Sequence, residues 1–315
     1  MRITYLHQYF NTPSMQGGTR SYEMARRLVA MGHEVNMVTS WREPASRKGW
    51  FTTEEAGIKV HWLPVRYSNH MNYSQRIASF FKFAVGASRK AASLPADVVF
   101  ATSTPLTIAL PGVFAARRKK VPMVFEVRDL WPQLPIAMGA LNNPAMRSTA
   151  QHLERFAYRS SSEIVTLSPG MTDGVLAKGF PEGRVTEIPN SSDVDLFYPN
   201  PEGRNEFRAQ HGIEDDQVLI VYAGTFGRIN GVGYLPQLAA ELRDDKRFRF
   251  ITVGDGQEYA AVQAKAKHLG VLDKNFLMLK RIPKTEMPKV LAATDIATSL
   301  VIPLQAMEAN SANKF

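Results

Sequence analysis

The 315-residue chain contains no cysteine. That excludes a disulfide framework, a thiolate metal site and a cysteine nucleophile, and it is the composition that a reducing cytoplasm permits. The chain also lacks any stretch near the roughly 20 apolar residues of a membrane-spanning helix. Lys82, Arg89 and Lys90 interrupt its most apolar helical segment. The opening MRITYLHQYF runs from Met1 into an apolar strand pattern with neither a basic n-region nor a long apolar h-region, so no secretory signal is expected. Any membrane contact is therefore expected to be peripheral. There is no heptad repeat and no low-complexity tract, and the seven histidines show no metal-ligand spacing. Neither G-x-G-x-x-G nor G-x-x-x-x-G-K-[ST] follows the first strand, which argues against a dehydrogenase and a P-loop ATPase.

Acidic residues are scarce in one half. From Met1 to Asn190, 23 Lys and Arg stand against 13 Asp and Glu, whereas the remainder has 15 against 16, so the net charge of +9 originates in the first half. A one-sided excess points to an anionic partner such as phospholipid, phosphate or nucleic acid, or else to a merely basic surface. With 44% hydrophobic and 10% aromatic residues, the chain can fill two cores.

Short apolar runs alternate with helical periodicity: Ile3 to His7, Glu34 to Ser40, Val60 to Val65, Asp97 to Thr102, Met123 to Arg128 and Glu163 to Leu167. This alternation predicts a parallel sheet covered by helices. Thr19 to Met31 reads as the first helix, with Tyr22, Ala25, Leu28 and Val29 on one face and Arg20, Glu23 and Arg27 mostly elsewhere. A second run begins at Val218, continues through Phe248 to Gly254 and Phe276 to Leu279, and reaches Asp295 to Val301. Between the runs, IPNSSDVDLFYPNPEG has no period and reads as a linker. The fold class is α/β with two Rossmann-like domains, 1–190 and 191–315, whose ligand cleft is expected at the carboxyl ends of the strands, where the domains face each other. After Val301, Asn310 or Ser311 reads as the N-cap of a helix that the sequence leaves at Phe315, so the second domain is expected to be truncated.

Three glycine-bearing turns follow strands, where backbone amides and a helix N-terminus can receive phosphate oxygens. They are Gly17-Gly18-Thr19, the stretch Gly224 to Gly231 and Gly254-Asp255-Gly256. Glycine is also the ordinary solution to a tight turn, so no one of them is specific. FEVRDLWPQ places Glu126, Arg128 and Asp129 at a strand end, facing either the cleft or one another as an ion pair of Arg128 with an acid. His7 is the one histidine expected near the cleft. The segment Arg76 to Lys90 combines the helical set Ile77, Phe80, Phe81 and Ala84 with Arg76, Lys82, Arg89 and Lys90, and Arg117, Arg118, Lys119 and Lys120 add a second basic cluster. Such segments suit a membrane interface, and equally a core helix with a solvated basic side.

HQYFNTPSMQGGTRSYEMARRLVAMGHEV, VRDLWPQ, SPGM, IPNSSDVDLFYP, YAGTFGRINGV, VGDGQE, ATDIATSLVIPL and SANKF together resemble the ordered landmarks of the retaining glycosyltransferases of family four. Within it they look closest to a bacterial branch with O-antigen L-fucosamine and colanic acid transferases. The resemblance covers the whole chain. It implies a GT-B architecture with an N-terminal acceptor domain, a C-terminal nucleotide-sugar domain and no required metal or other cofactor. Gly18 and Asp129 would stand at the reacting centre. Gly17, Gly224, Thr225, Arg228, Asn230, Gly254 and Gly256 would face the donor together with Asn313 and Lys314, while the turn at Arg281 and Ile282 would meet the base. The family's G-R-x-x-x-x-K-G element is altered, with Thr225 and Asn230 at its cationic positions, and Arg228 is the substitute cation. Glu308 lies near the first acid of the family's E-x7-E element, and the second would lie beyond Phe315.

The leading expectation is transfer from a nucleoside-diphosphate sugar to a polyprenyl-diphosphate-linked saccharide at the inner face of the cytoplasmic membrane, with an anionic membrane surface and no nucleic acid as partner. A nucleotide-sugar-binding module without turnover and a GT-B epimerase are the alternatives. A lipid-linked acceptor explains the basic first half, which a soluble epimerase does not.

Overall fold

The computed structural model describes residues 1–15, 17–43, 48–67, 71, 73–139, 141–191 and 194–309. The chain divides into two compact units, Met1–Asn190 with Leu304–Ser311, and Ser191–Pro303 with Ala312–Phe315.

In the first unit the strands are β1 (Arg2–Leu6), β2 (Glu34–Trp41), β3 (Phe51–Glu55), β4 (Ile58–Pro64), β5 (Val98–Thr102), β6 (Met123–Val127), β7 (Glu163–Thr166) and β8 (Val185–Glu187). They form one sheet of order β3-β4-β2-β1-β5-β6-β7-β8, parallel except for the β3–β4 hairpin. The helices are α1 (Arg20–Ala30), α2 (Tyr73–Ser93), α3 (Ala109–Lys119), α4 (Gln133–Ala137), α5 (Pro144–Arg159) and α6 (Pro169–Leu176). The strand order makes α1 cross in one direction along the sheet and α2, α3 and α5 in the other. Right-handed crossovers therefore put α1 on one face and the other three on the opposite face.

Side-chain alternation along β1 builds both cores at once. Ile3 and Tyr5 join Met37, Val60 and Trp62 under Ala25 of α1. Leu6 joins Val99, Met123 and Phe125 under Phe83 and Ala87 of α2 and Val113 of α3. Each large apolar side chain buried this way contributes roughly 1.5 to 3 kcal/mol. Local chemistry sets the helix starts: the Asn143 side-chain oxygen accepts from Ala145 N at 2.8 Å before Pro144, and Ser168 accepts from Met171 N at 3.3 Å before Pro169.

The second unit is a four-stranded parallel sheet of order β11-β10-β9-β12, made of β9 (Val218–Thr225), β10 (Phe248–Asp255), β11 (Phe276–Leu279) and β12 (Ile296–Thr298). Its helices are α7 (Pro201–Gln210), α8 (Tyr234–Glu241), α9 (Tyr259–His268) and α10 (Met287–Ala293). Tyr222, Phe250 and Phe276 pack with Leu235 of α8 and Val262 of α9. Leu219, Val221 and Ile251 pack on the other side with Phe207 of α7 and Val290 of α10. Buried Arg208 fastens α7 to the start of β9: it donates to Asp295 at 3.1 Å and to the carbonyls of Ala293, Glu214 and Gln217, while Asp295 accepts from Leu219 N at 2.7 Å.

Several expectations need correcting. The segment beginning at Leu304, placed in the second domain by sequence order, groups with the first unit. There Ser168 Oγ donates to the Ala309 carbonyl at 2.6 Å. Strands β3 and β8 are additional, and β12 is only three residues long. Phe81, assigned to the apolar face of α2, is half exposed, because the helix turns Phe83, Ala84, Ala87 and Ala91 inward instead.

Candidate functional site

In the first unit, His7 and Gln8 follow β1 and are buried. The Gln8 carbonyl accepts from Ser40 N and from the hydroxyls of Ser40 and Thr39, so the loop is pinned to the end of β2. The chain returns through Asn11, whose Nδ2 donates to the Gly18 carbonyl at 3.1 Å and whose Oδ1 accepts from Arg42. Gly17 has φ +123°, and a Cβ there would fall 2.6 Å from Asn11 Nδ2. A side chain at this position would be both strained and obstructed. Gly17 and Gly18 are exposed just before α1, whose first amides have no helical partner. An anion can approach this turn closely.

Behind the turn lies a buried ion pair. Arg20 donates to Glu126 through Nε at 3.0 Å and lies 2.9 Å away through Nη2; it also donates to the carbonyls of Ile188 and Pro189, each at 2.8 Å. Two expectations fall here. Glu126 does not face outward, since it is 0% exposed, and its cationic partner is Arg20 instead of Arg128. Arg20 itself is turned inward, although helical periodicity put it on the outer side of α1.

Arg128 is half-buried, with Nη1 3.4 Å from His7 Nε2 and its backbone N–H donating to Ser103 Oγ at 2.9 Å. Burial, reinforced by the charges of Arg128 and Arg42, holds the His7 pKa well below its ordinary value, so the ring is neutral. Asp129, half-buried, accepts from Thr104 Oγ1 at 3.5 Å. Loss of solvent raises its pKa to about 6, against the lowering effects of Arg128 and Thr104. A carboxylate poised there at a strand end has the profile of a proton-handling or hydroxyl-accepting group.

In the second unit, the carboxyl ends of β9 and β10 approach so closely that a Cβ on Gly254 would sit 1.9 Å from the Gly224 carbonyl oxygen. Only glycine fits there, and Gly256 is similarly crowded by the Phe226 backbone. The turn after β9 is fixed by Tyr222 OH donating to the Thr225 carbonyl at 2.8 Å and by Phe226 N donating to the Asp255 carbonyl at 3.0 Å. Asn230 Oδ1 accepts from Gly227 N at 3.2 Å, so this side chain shapes the turn. Thr225 and Arg228 are exposed on it, and Arg228 makes no ion pair or hydrogen bond among the described residues. The result is a rigid glycine turn with a cation held in solvent.

The remaining candidates scatter. Arg281 is exposed, and Ile282 packs into the core beside α10. Glu308 is exposed in the segment that groups with the first unit. Asn313 and Lys314 lie outside the described residues. Of the basic residues expected at a membrane, Lys82, Arg89, Arg117, Arg118 and Lys120 are exposed, and Lys119 is half-buried. Arg76 donates to the Met71 carbonyl at 3.1 Å, and Lys90 and Arg117 lie over the rings of Trp50 and Phe156. Asn11, Arg20 and Tyr222 were not singled out from the sequence. Asn11 in the loop and Arg20 at the start of α1 flank the Gly17-Gly18 turn closely in sequence, which is the signal that could have found them.

Two Rossmann-like units, each with a glycine turn at the carboxyl edge of a parallel sheet, define the GT-B class of glycosyltransferase folds. The chain belongs to this group: residues 17–191 match the glycosyl transferase 4-like domain and residues 203–315 match the glycosyl transferases group 1. It is 23% identical over 288 residues to the colanic acid biosynthesis glycosyl transferase WcaI of Escherichia coli, a match covering 85% of this chain and 70% of that one. It is 24% identical over 292 residues to the GDP-mannose-dependent alpha-(1-6)-phosphatidylinositol monomannoside mannosyltransferase of Mycolicibacterium smegmatis, covering 90% of this chain and 69% of that one. Among solved structures it is similar to HepE of Anabaena in complex with UDP-glucose, with a TM-score of 0.67 at 16% identity over 96% of this chain and 74% of that one.

Proposed function

We propose that this protein moves a sugar from a nucleoside-diphosphate sugar, a UDP-sugar of N-acetyl-fucosamine type, to a polyprenyl-diphosphate-linked saccharide. The transfer serves bacterial surface polysaccharide synthesis at the inner face of the cytoplasmic membrane and retains the anomeric configuration. In this reading the first unit receives the acceptor and the second the donor. The observation that carries it is the turn from Gly224 to Asn230, where close backbone packing forms a rigid glycine edge and Arg228 is exposed with no ion pair among the described residues.

Negative charge grows on the diphosphate as the bond from sugar C1 to the phosphate oxygen breaks, and pre-positioned donors stabilise that charge without reorganising. Arg228, the Thr225 turn amides, the Gly17-Gly18 turn, Gly254-Gly256, Asn313 and Lys314 supply those donors, with no metal and no resident cofactor. The Arg281-Ile282 turn meets the base through its backbone. Asp129 takes the acceptor hydroxyl at the reacting centre beside Gly18. The UDP-glucose bound to the Anabaena neighbour supports the choice of base, and the phosphatidylinositol acceptor named for the mycobacterial relative supports a lipid-linked acceptor.

The test is calorimetric titration with UDP, GDP and dTDP. UDP is expected to bind most tightly. Arg228→Ala removes a charge-assisted contact of roughly 1.5 to 3 kcal/mol, or about 10- to 150-fold in Kd, without loss of thermal stability. An unchanged UDP affinity in the folded variant removes Arg228 from the site and with it the observation on which this reading rests.

A further inference from the structure

Helices α2 and α3 lie against each other on one face of the first sheet. Neither Tyr73–Ser93 nor Ala109–Lys119 contains an aspartate or a glutamate. Both helices turn their small and apolar residues toward the sheet, Ala87 and Ala91 from α2 and Val113 and Ala116 from α3. Their outer stripes consequently face away from the sheet on the same side. That outer surface is unusual for a solvated helix pair: Phe81 is 50% exposed, Val85 60% and Phe114 49%. Phe81, Val85 and Arg89 follow one another at i, i+4 and i+8, with Lys82 alongside, and Phe114 is followed at i+4 by Arg118. Lys120 is exposed at the end of α3.

We propose that this α2–α3 face docks on an anionic lipid bilayer. Phe81, Val85 and Phe114 enter the boundary between headgroups and acyl chains, and Lys82, Arg89, Arg118 and Lys120 meet lipid phosphates. The arrangement fits a bilayer because isolated apolar side chains stand among cations, so that burying the first brings the second to headgroup level. Lys82 and Arg89 are seven residues apart, or roughly 10 Å along the helix axis, and therefore meet different headgroups. Four basic residues first counted toward this surface are left out of it: Arg76 donates to the Met71 carbonyl, Lys90 and Arg117 lie over the rings of Trp50 and Phe156, and Lys119 is half-buried. The inference deepens the membrane location given in the proposed function by naming the surface that docks, and it rests on the charge and exposure of two helices and on nothing at the donor turn.

Co-sedimentation with vesicles tests it, comparing neutral phosphatidylcholine with phosphatidylcholine carrying about 30% phosphatidylglycerol. The protein is expected to bind the anionic vesicles only, and raising NaCl from about 50 to about 500 mM should release most of it, since screening shortens the reach of exposed charges. Each basic residue near an anionic surface adds about fivefold to partitioning, so K82Q/R89Q/R118Q should lower it on the order of 100-fold. F81S/V85S should abolish the part that survives high salt. All these side chains are exposed, so the variants keep the wild-type melting temperature. As an independent readout, Phe114→Trp should show a blue-shifted emission with anionic vesicles and none with poly(U). Absence of binding, binding indifferent to lipid charge and to the triple substitution, or an emission shift with poly(U) alone overturns the proposal. UDP titration of the same preparations reports separately on glycosyl transfer, so failure of one reading leaves the other standing.

Discussion

Replacing Asp129 by asparagine should make this protein more stable at neutral pH while lowering its activity. Loss of solvent around the carboxyl raises its pKa from 3.8 to about 6. The folded chain therefore holds this proton more tightly than the unfolded chain does. Between about pH 4 and pH 6 folding takes up a proton, so stability falls as pH rises through that window and the full cost of the ionised carboxylate is present above it. One pKa unit corresponds to 1.36 kcal/mol, which sets about 3 kcal/mol as the upper bound. Partial contact with solvent reduces the expected gain for Asp129→Asn to roughly 1 to 2 kcal/mol at pH 7. Asparagine preserves an oxygen that accepts from Thr104 Oγ1, so the loop geometry survives. Urea unfolding at pH 7 and at pH 4 is the assay: the variant should exceed wild type at pH 7 and match it at pH 4. Equal stability at both values would show that Asp129 is comfortably ionised, and the case for a poised carboxylate at this strand end would fail.

The buried Arg20–Glu126 pair gives a second outcome. Arg20→Met should cost about 3 to 5 kcal/mol in unfolding free energy by leaving Glu126 uncompensated, and Arg20→Met combined with Glu126→Leu should recover much of the loss; additive losses in the cycle would refute the coupling. In the second unit, partial burial raises the Asp295 pKa, but the Leu219 N–H, Arg208 and Arg204 outweigh it and hold it below the ordinary value. That contribution is present above about pH 4 and is lost as pH falls through the lowered pKa. Asp295→Asn should therefore destabilise the protein at neutral pH, by no more than about 1 kcal/mol once solvent screening of this exposed residue is allowed for, and by much less under acid, as melting curves at the two pH values would show.

The alternation of strands and helices was legible because parallel strands covered on both faces appear as short apolar runs, and β1, β2, β5, β6 and β7 all have that character. The glycine turns were legible as well, since Gly17 lies in the loop between β1 and α1 and Gly224 and Gly254 stand at the carboxyl ends of β9 and β10. Strand β3 escaped notice because FTTEE, an edge strand paired on one side, carries a single large apolar residue. Glu126 was misplaced for a different reason. It alternates with Phe125 and Val127 in a strand buried on both faces, so the sequence required a partner for it, yet that partner lies 106 residues away and could not be read from local spacing. Arg20 was missed by the same non-locality: a wheel projection places its Cα with Glu23 and Arg27, whereas its long side chain reaches back across the helix start to β6. On α2, a shift of a few residues in the inward set exchanged Phe81 for Phe83. Phe81, which the sequence leaves open between a membrane face and the core, is exposed.

The two glycine turns are held by different means, and the difference bears on which unit is tuned for reaction. In the second unit the turn is secured by backbone contact, Gly224 against Gly254, and by the hydrogen bonds of Tyr222 and Asn230. In the first unit the Gly17-Gly18 turn depends on polar side chains, Asn11 and Arg42, and the same strand end buries His7 Nδ1 and both side-chain polar atoms of Gln8 with no protein partner among the described residues. Each unpaired buried polar atom costs about 1 to 3 kcal/mol, and a raised Asp129 pKa adds to that cost. A fold under selection for stability alone would remove such groups, so their concentration beside Arg128 and Asp129 marks this strand end as the place where stability yields to chemistry. Among the described residues the second unit shows no comparable local cost at its turn, and Arg228 stands there on a stiff edge without an ion pair. Such a division suits a reaction in which one unit grips a charged leaving group and the other orients a neutral hydroxyl.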